Sequence, residues 1–116
     1  MNINIIETPK GCISYCKYLD DQVIKTTSDF LEILLTCKTQ IIAIDKKTFT
    51  DDFFDLKSGL AGEFLQKVSN YRKKLMIIGD FNNLMSNSLK SFIYESNNSG
   101  FVLFVENIEL GIDLLY

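Results

Sequence analysis

The sequence predicts an α/β fold: a single domain with elements in the order β-β-α-β-α-β-α-β-α and a mixed sheet flanked by helices. Three observations lead there. Apolar runs at Ile41-Ile42-Ala43-Ile44, Leu75-Met76-Ile77-Ile78 and Phe101-Val102-Leu103-Phe104-Val105 read as strands buried on both faces. Amphipathic stretches with helical spacing separate them, and strands alternating with helices imply parallel pairing through right-handed crossovers. The length of 116 residues fits one domain with a self-sufficient core.

The elements follow in order. Residues 2–6 alternate Ile3 and Ile5 as a short strand, and Thr8-Pro9-Lys10-Gly11 is a turn. Residues 12–19 form a second strand, with Ile13, Tyr15 and Leu19 on one face and Cys12, Ser14, Cys16 and Tyr18 on the other; the two should make a hairpin. Thr27-Ser28-Asp29 offers an N-cap for a helix over 29–37, where Phe30, Ile33, Leu34 and Cys37 share a face. After the strand at Ile41–Ile44, a polar stretch from Asp45 to Ser58 holds Phe49, Phe53 and Phe54. A helix over 59–72 carries Leu60, Phe64 and Val68 on one stripe. Ser86 caps a helix over 87–97 that stops at Gly100, a residue suited to the left-handed C-terminal turn. Tyr94-Glu95-Ser96-Asn97-Asn98 reads as its frayed end. Asn107 caps a last helix ending near Leu115.

Composition narrows function. Apolar residues make up 47% and charged residues 23%, and the net charge is −3. That balance argues against a nucleic-acid or anionic-membrane partner, which would need a basic face. The run Arg72-Lys73-Lys74 suits a helix C-terminus instead. No apolar run reaches the roughly 18 residues of a membrane span. The first residues lack the basic region of a signal peptide, so a cytoplasmic location is expected. The three cysteines then read as reduced packing thiols. With no histidine, this chain holds no Ser-His-Asp triad, no Cys-His pair and no His-ligated zinc.

The segment Asp55-Leu56-Lys57-Ser58-Gly59-Leu60-Ala61-Gly62-Glu63 is the leading candidate site. A hydroxyl at a helix start sits among free backbone N–H groups and the positive end of the dipole. Ser58 there is a plain N-cap, an anion-contact residue or a phosphoacceptor. Gly59 and Gly62, poor helix residues, point to a close approach by packing or by a ligand. Neither the P-loop nor the dinucleotide glycine pattern is present. Asp45, Asp51, Asp52, Asp55, Glu63 and Asp80 form an acidic set. Asp45 and Asp80 fall at strand C-termini, where open α/β sheets bind ligands. These carboxylates read as a solvated rim, a one- or two-carboxylate magnesium site or an acid–base pocket. If the backbone is extended at Phe53-Phe54, the two rings cannot both point inward; the aromatic loop either docks onto the core or leaves one ring as an exposed anchor for a partner or a second copy.

The order of elements and Ser58-Gly59-Leu60 resemble the sulfate transporter and anti-sigma factor antagonist (STAS) domains. The resemblance implies that Ser58, directly before Gly-Leu at a helix start, is phosphorylated by a partner kinase. Asp55 stands three residues before Ser58 where that family places its Asp two before, and Lys57 takes the seat of a small hydroxyl residue. Across nearly its whole length the chain also resembles a bacterial family, domain of unknown function 4180. The shared stretches are Asp52-Phe53-Phe54-Asp55-Leu56, Gly59-Leu60-Ala61-Gly62-Glu63, Ile78-Gly79-Asp80-Phe81 and Phe92-Ile93-Tyr94-Glu95-Ser96-Asn97-Asn98.

The expectation is a STAS-like, non-enzymatic regulatory or protein-interaction module. Its partner is another protein or a second copy, and it needs no cofactor, metal or catalytic residue. Its binding or switch residues are Ser58, Gly59, Asp55, Gly62, Glu63, Asp52, Phe53, Phe54 and Asp80. The alternative is a small-molecule or anion-binding domain, or a minor enzyme. It would use the strand-end carboxylates and the helix start at Gly59–Glu63.

Overall fold

The computed structural model describes residues 2–19, 22–83 and 86–116. Five strands form one mixed sheet: β1 (Asn2–Thr8), β2 (Gly11–Lys17), β3 (Ile41–Asp45), β4 (Lys74–Ile78) and β5 (Val102–Val105). The helices are α1 (Thr27–Thr36), α2 (Asp51–Phe54), α3 (Leu60–Asn70), α4 (Asn87–Ser99) and α5 (Ile108–Leu114). The α/β class and the alternation of strands with helices are as the sequence predicts.

The sheet order is β1-β2-β3-β4-β5, with β1 antiparallel to β2 and all later pairs parallel. The hairpin closes at Thr8↔Gly11. There the Thr8 hydroxyl donates to the Gly11 carbonyl at 2.6 Å, and Gly11 takes a φ of 122°. Each later crossover steps one strand in the same direction. Right-handed crossovers that all step the same way put their helices on the same face. Accordingly Phe30, Ile33 and Leu34 of α1, Ala61, Phe64 and Val68 of α3, and Leu89 and Ile93 of α4 share one core. They pack there against Cys16, Ile42, Ile44, Leu75, Ile77, Val102 and Phe104 of the sheet. The opposite face buries Ile13, Ile41, Ala43, Met76, Leu103 and Val105 against Ile108, Ile112 and Leu115, in and just after α5. α5 comes close because its Gly111 has no side chain: a Cβ there would stand 2.6 Å from the Met76 sulfur.

Most helix ends fall where their chemistry places them. Ser86 accepts from Leu89 N–H, Asn107 accepts from Leu110 N–H, and Gly100 takes the left-handed turn at φ 78°. The first helix starts earlier than expected. Thr26, not Thr27–Asp29, is its cap, in a reciprocal capping box with Asp29. α3 closes with a Schellman turn, Lys73 N–H donating to the Val68 carbonyl and Arg72 N–H to that of Ser69. Arg72 holds the left-handed position at φ 53°, normally a glycine's. Lys73 then donates to the Cys37 and Thr39 carbonyls at 2.9 and 2.7 Å, so this basic run does serve helix ends.

Two further expectations are corrected. The stretch from Asp45 to Ser58 is a chain of short helical turns: 3₁₀ turns at Lys46–Thr48 and Leu56–Ser58 flank α2. Tyr94–Asn98 is not frayed. It lies within α4, and the Asn97 side chain bonds both Phe104 backbone groups, donating at 3.2 Å and accepting at 2.7 Å.

Candidate functional site

The turn before α3 is closed by its own polar groups. Asp55 accepts Lys57 N–H on its carboxylate at 3.1 Å, and its carbonyl accepts Ser58 N–H. The exposed Ser58 hydroxyl donates to the Asp52 carbonyl at 2.6 Å and accepts Leu60 N–H at 3.2 Å. Gly59 follows at φ 76°, as the N-cap residue of α3. Ser58 is therefore a latch between α2 and α3, one residue ahead of the cap position. Gly59 takes the left-handed conformation at the junction between the 3₁₀ turn and α3, which glycine adopts without steric penalty.

Asp52, Asp55, Ser58 and Gly59 thus share one exposed knuckle of the surface. Phe53 leaves it: at 1% exposure it packs on Phe49 and Phe64, with ring centroids 4.6 and 5.3 Å away. The helical turn of α2, rather than an extended backbone, lets Phe53 enter the core while Phe54 lies half-buried beside it. Phe54 faces Phe81 at 6.2 Å, and the Lys46 ammonium lies 5.8 and 5.0 Å from those two ring centres. Glu63 points elsewhere, accepting from the Thr27 hydroxyl at 2.8 Å. Gly62 is exposed, with nothing within 4 Å of where a Cβ would stand, so no tight packing requires a glycine there.

Asp80 belongs to a second feature. A cleft of about 660 Å³ opens at the C-terminal ends of β3 and β4, lined by Tyr18, Asp45, Lys46, Phe54, Gly79 and Asp80 among others. Asp45 is committed within it, accepting the Tyr15 hydroxyl at 2.5 Å and Tyr18 N–H at 2.8 Å. Burial first, then that hydrogen bond and the carboxylate charge, push the Tyr15 phenol up to about 12. Lys46 donates to the Asp80 carbonyl at 2.5 Å, and the Asp80 carboxylate accepts Asn82 N–H at 2.9 Å. Gly79 permits this approach, since a Cβ there would stand 2.6 Å from Lys46 Cβ. Sequence reasoning singled out Asp45 and Asp80 by strand-end position, but not Tyr15, Tyr18 or Lys46. The alternation of β2 carried a signal for Tyr15; nothing in the sequence marked Lys46.

Among the described residues, no group of three or more Cys, Asp or Glu side chains is arranged to hold a metal ion. No helix there is long and apolar enough to cross a membrane. No curated protein and no solved structure matches the chain. A family model described as domain of unknown function (DUF4180) matches residues 14–115, from within β2 through α5, including the Ser58 knuckle and the strand-end cleft. The chain belongs to the DUF4180 family.

Proposed function

We propose that this protein is a non-enzymatic regulatory or protein-interaction module with a STAS-like fold. Its binding surface is the Asp51–Glu63 segment, with Ser58 as a phosphorylation switch. One observation carries the reading: the Ser58 hydroxyl is exposed at the start of α3 and latches α2 to α3 through the Asp52 carbonyl. Support also comes from the order of elements, an initial hairpin followed by helix–strand units, with the Ser-Gly-Leu junction in the turn before α3.

Phosphorylation would form an Oγ–P bond and break the terminal phosphoanhydride of a nucleoside triphosphate, with the hydroxyl proton passing to the kinase. Ser58 then has no proton left to donate to Asp52, so the latch opens. The new charge of about −1.5 to −2 meets the α3 N-terminus and Lys57 favourably, and Asp51, Asp52 and Asp55 unfavourably. These effects are of similar size at solvent dielectric, so the fold persists while the surface becomes more negative and changes shape. The test is phosphopeptide mapping of the chain recovered from its native host. Phosphate on Ser58 supports the switch, and its absence under every growth condition counts against it.

The cleft at the ends of β3 and β4 favours a second reading, a small-molecule or anion-binding domain with Asp80 and the lysines on its rim. Magnesium is its simplest cation probe. A rise in melting temperature that Asp80→Asn abolishes supports metal-assisted ligand binding; an unchanged melt retires the cation.

A further inference from the structure

Cys16 lies on β2 and Cys37 is the residue that ends α1; their sulfurs are 3.8 Å apart inside the core. We propose that these two cysteines are an oxidation site: peroxide converts them from a native dithiol to an intramolecular disulfide, reversibly and without unfolding the chain. The inference stands apart from the Ser58 reading.

Geometry comes first. A disulfide needs the sulfurs about 2.05 Å apart, and the present separation is ordinary contact between thiols that already face each other. Cys37 is past the last helical residue, with extended angles of φ −79° and ψ 120°; its N–H still donates to the Ile33 carbonyl at 3.0 Å, so the approach of the sulfurs falls to side-chain rotation. Cys37 is 3% exposed between the exposed Thr36 and Lys38, so it lies just beneath the surface at the end of α1.

The surroundings then divide the roles. The hydrogen bond shared with Cys16 is the main influence holding the Cys37 thiol below its ordinary range. Ser14 and the charge of Lys73 act in the same direction, and burial opposes them. The same shared hydrogen bond, and then burial, push Cys16 upward. Lys73 is fixed in place by its bonds to the Cys37 and Thr39 carbonyls. With Lys73 held at its carbonyl and exposed residues on either side, Cys37 is the attacking sulfur, and Cys16, on β2, resolves it.

The Cys37 thiolate attacks one peroxide oxygen; the S–O bond forms, the O–O bond breaks and hydroxide leaves. Cys16 then attacks the Cys37 sulfur; the S–S bond forms, the S–O bond breaks, and the Cys16 proton leaves with that oxygen as water. Two electrons pass from the sulfurs to peroxide. The product ties β2 to the end of α1 and closes a loop containing the whole helix, which restricts the unfolded chain.

The experiment uses the full chain carrying Cys12→Ser, which removes the exposed thiol. It is treated with hydrogen peroxide under native conditions and followed by circular dichroism. Intact mass and a non-reducing peptide map are then taken. The expected result is loss of two hydrogen atoms, a linked Cys16–Cys37 peptide, a higher melting temperature and full reversal by dithiothreitol. Oxygen addition without a linked peptide, or two free thiols remaining on denaturation, would overturn the proposal. Adding Cys16→Ser should trap oxygen on Cys37 instead; if that variant does not fold, the peptide map of the single variant decides alone.

Discussion

Gly62 occupies the third residue of α3, exposed, with no atom within 4 Å of where a Cβ would stand. Glycine there carries the backbone entropy cost of a flexible residue and returns no packing. Gly62→Ala should therefore stabilise the fold by about 0.5–1 kcal/mol, read as a higher denaturation midpoint. If the same substitution weakens partner binding, the glycine is kept for the surface and not for the fold. Tyr15 makes the opposite kind of statement. Its phenol is raised to about 12, so the folded chain holds that proton where the unfolded chain releases it. The sign follows: its contribution is complete below the ordinary value of 10.0 and is lost as pH rises through about 12. Tyr15→Phe should flatten the fall in stability over that window in pH-dependent urea titrations.

At the scale of elements, the segment between β3 and α3 carries the account. Its helical turns hold three or four residues each, too few for any periodicity to show, so the sequence reads only as polar punctuation with aromatics. The premise of an extended backbone at Phe53-Phe54 failed for that reason. Long elements were legible because capping side chains mark their ends, as at Ser86, Gly100 and Asn107. The α1 start was blurred by three hydroxyl residues in a row, Thr26, Thr27 and Ser28, and only the Thr26–Asp29 reciprocity resolves it. Ser58 was legible as a helix-start hydroxyl, but its bond to Asp52 depends on α2, which was not. Ser58→Ala removes both side-chain bonds and should cost about 1 kcal/mol in chemical denaturation. Amide exchange should quicken at Leu60.

Over the whole molecule, a radius of gyration of 13.0 Å matches the roughly 13 Å expected of one compact domain this size. Strand order was not readable from periodicity, yet it decides the layers. Crossovers that all step one way leave the second face to α5, with Gly111 as the condition for its approach. Along β5, Asn97 occupies both Phe104 backbone groups and Ser96 donates to the Val102 carbonyl at 2.6 Å, a side-chain guard against further strand pairing. Asn97→Ala would leave that backbone pair without its partner, costing about 1–3 kcal/mol and increasing self-association in sedimentation velocity.

The central claim is that the Ser58 knuckle is a surface read by a protein partner. Parallel affinity capture from extracts of the native host, using wild type, Ser58→Ala and Ser58→Glu baits, tests it most directly. The account predicts at least one protein whose recovery on Ser58→Glu differs from wild type by about tenfold, some 1.4 kcal/mol of binding. Identical partners in identical amounts on all three baits would contradict it.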